Sequence, residues 1–277
     1  MKIRIVCFSQ TGNTRKVAKA MASVFSGAGH DVRILSLDKA SHDELADADL
    51  IGVGAPCFES QAPTPVRDFL KHLPEMDGKK AFVFSTSGGA PGRVLYDLAR
   101  PLQDRGGDIV AGFLCRGTCF YPIPCLVGRF PDRPGEMDLT ESEQFASALL
   151  DHIESGVPGP MPETRQDAYR HGYGFYQIMG AILKDPLIRF LMPKPRAEPQ
   201  ACNECRWCVL ECPTGSMRLE PKPVISDTCI RCYRCMTGCP ENALRVKWGV
   251  SNFLVWTLYN TTFERWFGDV RPGEKLY

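Results

Sequence analysis

Through the first 155 residues, short apolar runs alternate with stretches of helical periodicity. Residues 2–9 (KIRIVCFS), 31–37 (DVRILSL), 49–56 (DLIGVGAP), 80–87 (KAFVFSTS) and 108–115 (DIVAGFLC) read as five buried strands. Between the first two, Val17, Ala20, Met21, Val24 and Phe25 follow the i, i+3, i+4, i+7, i+8 rule, which predicts a helix over 14–25. Further helices are expected near 42–48, 65–73, 92–105 and 141–154. Five apolar strands alternating with helices imply an α/β fold: a parallel sheet covered on both faces.

Ligands of such a sheet sit beyond the carboxyl ends of its strands, at the switch point. The loop after the first strand is Ser9-Gln10-Thr11-Gly12-Asn13-Thr14, with three hydroxyls, a glycine and a helix directly after it. Backbone N–H groups at a helix start, joined by Ser and Thr donors, make an anion site that needs no lysine. No G-x4-G-K-[ST] run is present, and Gly52-x-Gly54 lacks the third glycine of a dinucleotide loop. A single phosphate matches better than a dinucleotide.

SQTGNT between a strand and a helix resembles the phosphate loop of the flavodoxins, which bind FMN. The resemblance extends over about residues 1–156 and includes APCFES after the third strand and STSGGAPG after the fourth. It implies a five-stranded sheet of order 2-1-3-4-5. It also implies that Ser9, Thr11, Gly12, Asn13 and Thr14 hold the phosphate. Pro56, Cys57, Phe58, Ser87, Gly88 and Gly89 would border the ring. Flavodoxins usually place Trp or Tyr against the flavin; the aromatic candidates here are Phe58, Phe120 and Tyr121.

The cysteines add a second chemistry. Eight of the thirteen form two copies of C-x2-C-x2-C-x3-C-P, at Cys202, Cys205, Cys208 and Cys212 and again at Cys229, Cys232, Cys235 and Cys239. The offset is 27 residues throughout, and the flanks PTGSMRL and PENALRV repeat as well. Zinc sites usually draw on two separated C-x2-C pairs. Three cysteines at tight spacing suit three corners of a cube instead. Residues 196–248 resemble the two-cluster bacterial ferredoxins, in which the fourth cysteine of each run ligates the other cluster. Carried over, Cys202, Cys205, Cys208 and Cys239 take one [4Fe–4S] cluster, and Cys229, Cys232, Cys235 and Cys212 take the other. Between 194 and 247 there are nine Lys/Arg against six Asp/Glu, which suits anionic clusters. So small a domain would be held by its clusters, metal binding being folding free energy.

Net charge of +1 points to no nucleic acid. No run approaches the eighteen apolar residues of a membrane span, and the N-terminus lacks a secretory pattern, so a cytoplasmic location is expected. Residues 157–195 read as a proline-rich connector with a helix over about 164–191; Tyr169, Tyr173 and Tyr176 are expected to pack between the domains, with a flavin or quinone contact as the alternative. Residues 249–277 form an aromatic tail expected to fold onto the domains, with membrane-surface contact as the alternative. Cys115, Cys119 and Cys125 fit no cluster spacing and read as unreactive thiols. The five histidines show no metal-ligand spacing.

The whole resembles the flavodoxin/ferredoxin fusion proteins. It implies an electron-transfer flavoprotein passing low-potential electrons between two [4Fe–4S] clusters, FMN and external partners, either soluble redox proteins or a small-molecule acceptor. The alternative is an FMN-dependent reductase of a quinone or enone, with Cys57, Glu59 and Tyr121 as proton-donor candidates. A zinc-stabilised interaction module is a third reading. No nicotinamide site is visible.

Overall fold

A computed structural model of the chain describes residues 1–89, 91–161 and 185–258. The described residues divide into two units: 1–118 with 130–161, and 119–129 with 185–258.

The first unit carries five parallel strands, β1 (Lys2–Cys7), β2 (Asp31–Ser36), β3 (Leu50–Pro56), β4 (Lys80–Ser87) and β5 (Asp108–Arg116). Their spatial order is β2-β1-β3-β4-β5, the order expected. The helices between them are α1 (Asn13–Gly27), α2 (His42–Ala46), α3 (Thr64–Lys71) and α4 (Val94–Asp104), with α5 (Glu136–Glu154) last. Val17, Met21 and Phe25 of α1 and Phe145 and Leu149 of α5 bury against Phe82 and Phe84 of β4. The apolar periodicity of the sequence is this face.

Gly52 and Gly54 are explained by the same packing. A Cβ on Gly52 would lie 2.5 Å from Cζ of Phe82, and one on Gly54 would lie 2.1 Å from Cζ of Phe84. The G-x-G of β3 makes room for two phenyl rings and has no part in a nucleotide loop.

α5 begins five residues before the expected 141. Its start is fixed by Asp138, whose carboxylate accepts the Gly135 N–H at 2.8 Å and pairs with the Arg133 guanidinium. Hydrophobic spacing carries no trace of that turn.

The second unit has little regular structure. Two short antiparallel pairs, Arg196–Ala197 with Leu244–Arg245 and Met217–Leu219 with Pro223–Ile225, frame two one-turn helices, Trp207–Leu210 and Arg234–Thr237. Cys208, Met217 and Leu244 form one small core. Ile123, Leu191, Met192, Tyr233 and Trp248 form another. Helices Asp185–Leu191 and Gly249–Leu258 pack together. Of the stretch 164–191, expected to be a helix, residues Asp185–Leu191 are helical and 164–184 lie outside the described residues. Tyr169, Tyr173 and Tyr176, and the tail beyond 258, lie outside the described residues.

Candidate functional site

The first site is built at the carboxyl ends of β1, β3 and β4. After β1 the chain turns through Gly12, whose φ of 98° lies in the left-handed region that glycine adopts without strain. α1 starts at the next residue. Gly12, at its N-cap, has no side chain to cap it, and no acidic residue stands in its first turn. Its first N–H groups therefore have no acceptor from their own helix, and the positive end of its dipole is left for an anion. Ser9 Oγ accepts the Arg15 N–H at 3.2 Å and holds the loop against the helix.

Thr86, at the end of β4, joins the three loops. Its hydroxyl is 2.8 Å from that of Thr14, and its carbonyl accepts the Cys57 N–H at 2.9 Å. Thr14 is 1% exposed. Ser87 Oγ accepts the Gly89 N–H at 3.2 Å, and the Ser87 carbonyl accepts the Gly117 N–H at 3.0 Å. Asn13 Nδ2 donates to the Thr118 carbonyl at 3.3 Å. The residues drawn from 9–14, 56–58 and 87–89 are thereby brought to one edge of one sheet.

The two later loops are also tied to each other. Phe58 and Gln61 exchange both backbone hydrogen bonds at 2.9 Å around Glu59 and Ser60, whose φ values are 45° and 63°. Ser60 O accepts the Arg93 N–H at 2.8 Å. Gly92 passes so close that a Cβ there would stand 2.2 Å from Ser60 O. Asp97 of α4 accepts the Ala62 N–H at 3.1 Å and the Arg93 Nε–H at 2.6 Å. Burial raises the Asp97 carboxyl above the ordinary carboxylate value, and the Arg93 guanidinium opposes the shift. Phe58 turns inward, edge-on to Phe8 with centroids 6.4 Å apart. Cys57 Sγ donates to the Pro91 carbonyl at 3.3 Å, and burial pushes its thiol up to about 12. Tyr121 belongs to the second unit, edge-on to Tyr233 at 5.8 Å.

The second site is made by the cysteine runs. One cleft is lined by Cys202, Cys205, Cys208 and Cys239. A second is lined by Cys212, Cys229, Cys232 and Cys235. Left-handed residues bend each run around its cleft: Glu204 and Arg206 with φ of 62° and 63°, then Arg231 and Tyr233 with 55° and 57°, at the same 27-residue offset. Backbone donors point at the sulfurs. Ser216 N–H reaches Cys212 Sγ at 3.2 Å, and its counterpart Ala243 N–H reaches Cys239 Sγ at 3.3 Å. Arg231 N–H reaches Cys229 Sγ at 3.4 Å. Among the described residues, no three His, Cys, Asp or Glu side chains converge as one metal ion requires.

The Flavodoxin domain family matches residues 4–108, and the 4Fe-4S binding domain family matches residues 222–245. The chain thus joins a flavodoxin domain to a 4Fe-4S binding domain. An uncharacterized protein of Methanocaldococcus jannaschii is 30% identical over 141 residues, spanning 50% of this chain and 90% of its own. A flavodoxin of Megasphaera elsdenii is 28% identical over 111 residues, 39% of this chain and 81% of its own. A flavodoxin structure from the domain Archaea covers 56% of this chain and 99% of its own at 21% identity, with a TM-score of 0.46. A flavodoxin domain implies FMN, and a 4Fe-4S domain implies iron–sulfur ligation, so this fusion is an electron-transfer redox protein. Among the described residues no helix is long and apolar enough to cross a membrane.

Sequence reasoning missed Thr86, Asp97 and Gly92. Thr86 stood in the quoted STSGGAPG stretch but carried no signal of its own. For Asp97, an acid set among Val94, Leu95 and Leu98 in the first turn of a helix was the available clue.

Proposed function

We propose that the fusion is an electron-transfer flavoprotein holding two [4Fe–4S] clusters and one FMN and serving external redox partners. The observation that carries the reading is the pair of cysteine-lined clefts, each made of three cysteines from one run and the fourth from the other. When bound, the clusters supply one-electron exchange and FMN one- or two-electron exchange.

The chain's own part is to hold and insulate. Cys202, Cys205, Cys208 and Cys239 would ligate one cluster, and Cys229, Cys232, Cys235 and Cys212 the other. Because each run serves both clefts, the two sites form together or not at all. The N–H groups of Ser216, Arg231 and Ala243 lie where they stabilise negative sulfur. In the first unit, Ser9 and Thr11 through Thr14 would take the phosphate at the start of α1. Pro56, Cys57, Phe58, Ser87, Gly88 and Gly89 would border the ring. Joining the carriers on one chain raises their effective concentration for each other.

The test is iron, acid-labile sulfide and flavin analysis on anaerobically purified protein, followed by stepwise reduction monitored by absorbance and EPR. The expected content is about eight iron and eight sulfide per chain, four of each per cluster, with one FMN. Zinc in place of iron would sink the proposal. Adding quinone or enone acceptors to the reduced protein tests the reductase alternative, whose signature is catalytic turnover.

A further inference from the structure

The two cysteine runs are copies, so each residue of one has a counterpart 27 positions away in the other. Ser216 and Ala243 are one such pair. Each donates its backbone N–H to the sulfur four residues before it, Cys212 at 3.2 Å and Cys239 at 3.3 Å. Each is 1% exposed. One position therefore carries a hydroxyl where the other, equally buried, carries only a methyl group. Burying a hydroxyl costs free energy unless it is hydrogen-bonded, so the Ser216 side chain needs partners.

It has two. Ser216 Oγ lies 2.6 Å from Thr214 Oγ1 and 2.8 Å from Thr228 Oγ1. Thr214 Oγ1 is 3.7 Å from Cys212 Sγ, a reach the large sulfur atom allows, and Thr228 Oγ1 is 2.7 Å from Ser226 Oγ. Four hydroxyls thus form a ladder from the sulfur out to Thr228 and Ser226, which are exposed. The counterparts of Thr214, Ser216, Thr228 and Ser226 are Glu241, Ala243, Ala201 and Pro199, none of which has a hydroxyl. Of the two equivalent sulfurs, Cys212 has the ladder and Cys239 does not.

Ligation fixes the direction of the ladder. A ligating cysteine is a thiolate and can only accept. Thr214 must then donate its single hydroxyl hydrogen to Cys212 Sγ. With no second hydrogen to give, Thr214 accepts from Ser216, Ser216 accepts from Thr228, and Thr228 accepts from Ser226. Every O–H points toward the sulfur, and bonds aligned in this way polarise one another. Hydrogen bonds donated to a ligand sulfur favour the more negative, reduced form of a cluster and raise its reduction potential. Each ligand set also has one buried cysteine, Cys208 at 8% and Cys232 at 7% exposed, so burial does not set the two apart as the ladder does.

We propose that the Thr214–Ser216–Thr228–Ser226 ladder makes the site of Cys212, Cys229, Cys232 and Cys235 the higher-potential member of the pair, so that an electron entering the pair settles there. The proposal rests on the two-cluster reading above. The electron comes from an external one-electron reductant; no bond forms or breaks and no proton moves.

The test uses the full-length protein with its clusters, reduced stepwise at set potentials under anaerobic conditions and read by EPR. Two separate one-electron steps are expected in the wild type. Thr214→Val removes the hydroxyl at the sulfur and keeps the branched shape; it is expected to lower the potential of the upper step and leave the lower step in place. Thr214→Ser keeps the hydroxyl and is expected to retain the wild-type value. Ser216→Ala installs the residue that the other run carries and is expected to shift the same step by less, since Thr214 still donates. It decides the outcome should Thr214→Val fail to hold iron. A single step in the wild type, a lower step that moves instead, both steps moving together, or an upper step unmoved by either variant overturns the proposal. Protein without iron and sulfide refutes the two-cluster reading instead, so the two failures are distinguishable.

Discussion

Gly238 lies beneath the indole of Trp207, so close that a Cβ on the glycine would stand 1.9 Å from Cη2 of the ring. The two positions belong to different cysteine runs. The pseudo-equivalent pair, 27 residues on and back, is Arg234 with Glu211, which form an ion pair. Duplication preserved a contact between the runs and changed its chemistry, apolar on one side and ionic on the other. Gly238→Ala is expected to cost about 1–3 kcal/mol by overpacking. It should also lower iron per chain, because the two runs close both clefts jointly. Trp207→Leu in the same background should restore part of the loss. Thermal unfolding of anaerobic protein and iron analysis read both effects.

Thr86 supplies the hydroxyl that meets Thr14 in a buried setting. Thr86→Val leaves the Thr14 hydroxyl without that partner, a penalty of about 1–3 kcal/mol. FMN affinity, followed by quenching of flavin fluorescence on titration into apoprotein, is expected to fall roughly tenfold, which corresponds to about 1.4 kcal/mol. Thr86→Ser keeps the hydroxyl and should bind as the wild type does. Equal affinity in the valine variant would show that Thr86 does not support the loop.

Asp97 holds Ala62 N–H and Arg93. Asp97→Ala strands both donors and should destabilise the first unit by about 1–3 kcal/mol in urea unfolding. The pH dependence has a definite sign. Burial raises the folded-state pKa above 3.8, so the native state binds more protons than the unfolded one in the window that begins there. This group's contribution therefore declines as pH rises through that window. The difference in unfolding free energy between wild type and Asp97→Asn should fall in the same direction, since asparagine does not titrate.

Cys57 is held protonated by burial, with its thiol near 12. At pH 8 the thiolate, the form that reacts, is therefore a very minor species. Iodoacetamide labelling of Cys57, read by mass spectrometry, is expected to be slow at pH 8 and to rise close to tenfold per pH unit over the range in which the fold persists. Rapid labelling at pH 8 would show that the loop opens.

Much of the architecture was legible because it is written in short-range order. Strand and helix alternation follows from the apolar runs, and the boundaries of β4 were read without error. The cysteine copies announce themselves because ligand spacing is a local property of the chain. The loop at Ser9–Thr14 is legible for the same reason: a strand, a glycine and a helix start are adjacent in sequence. The early start of α5 was not, because it depends on Asp138 reaching back to Gly135 and Arg133. Nor were the left-handed turns at Glu204, Arg206, Arg231 and Tyr233, since none is glycine and nothing in their identity marks the bend.

The sequence by itself determined the two kinds of chemistry, a phosphate loop before a helix and a doubled cysteine run, because both are patterns over a dozen residues. Tertiary structure decided that Thr86 and Asp97 join loops far apart in the chain, and that Tyr233 packs against Tyr121 and Trp248 where its counterpart Arg206 stays exposed. Those are contacts between segments distant in sequence, and such contacts come from packing of the whole chain, which no local pattern encodes.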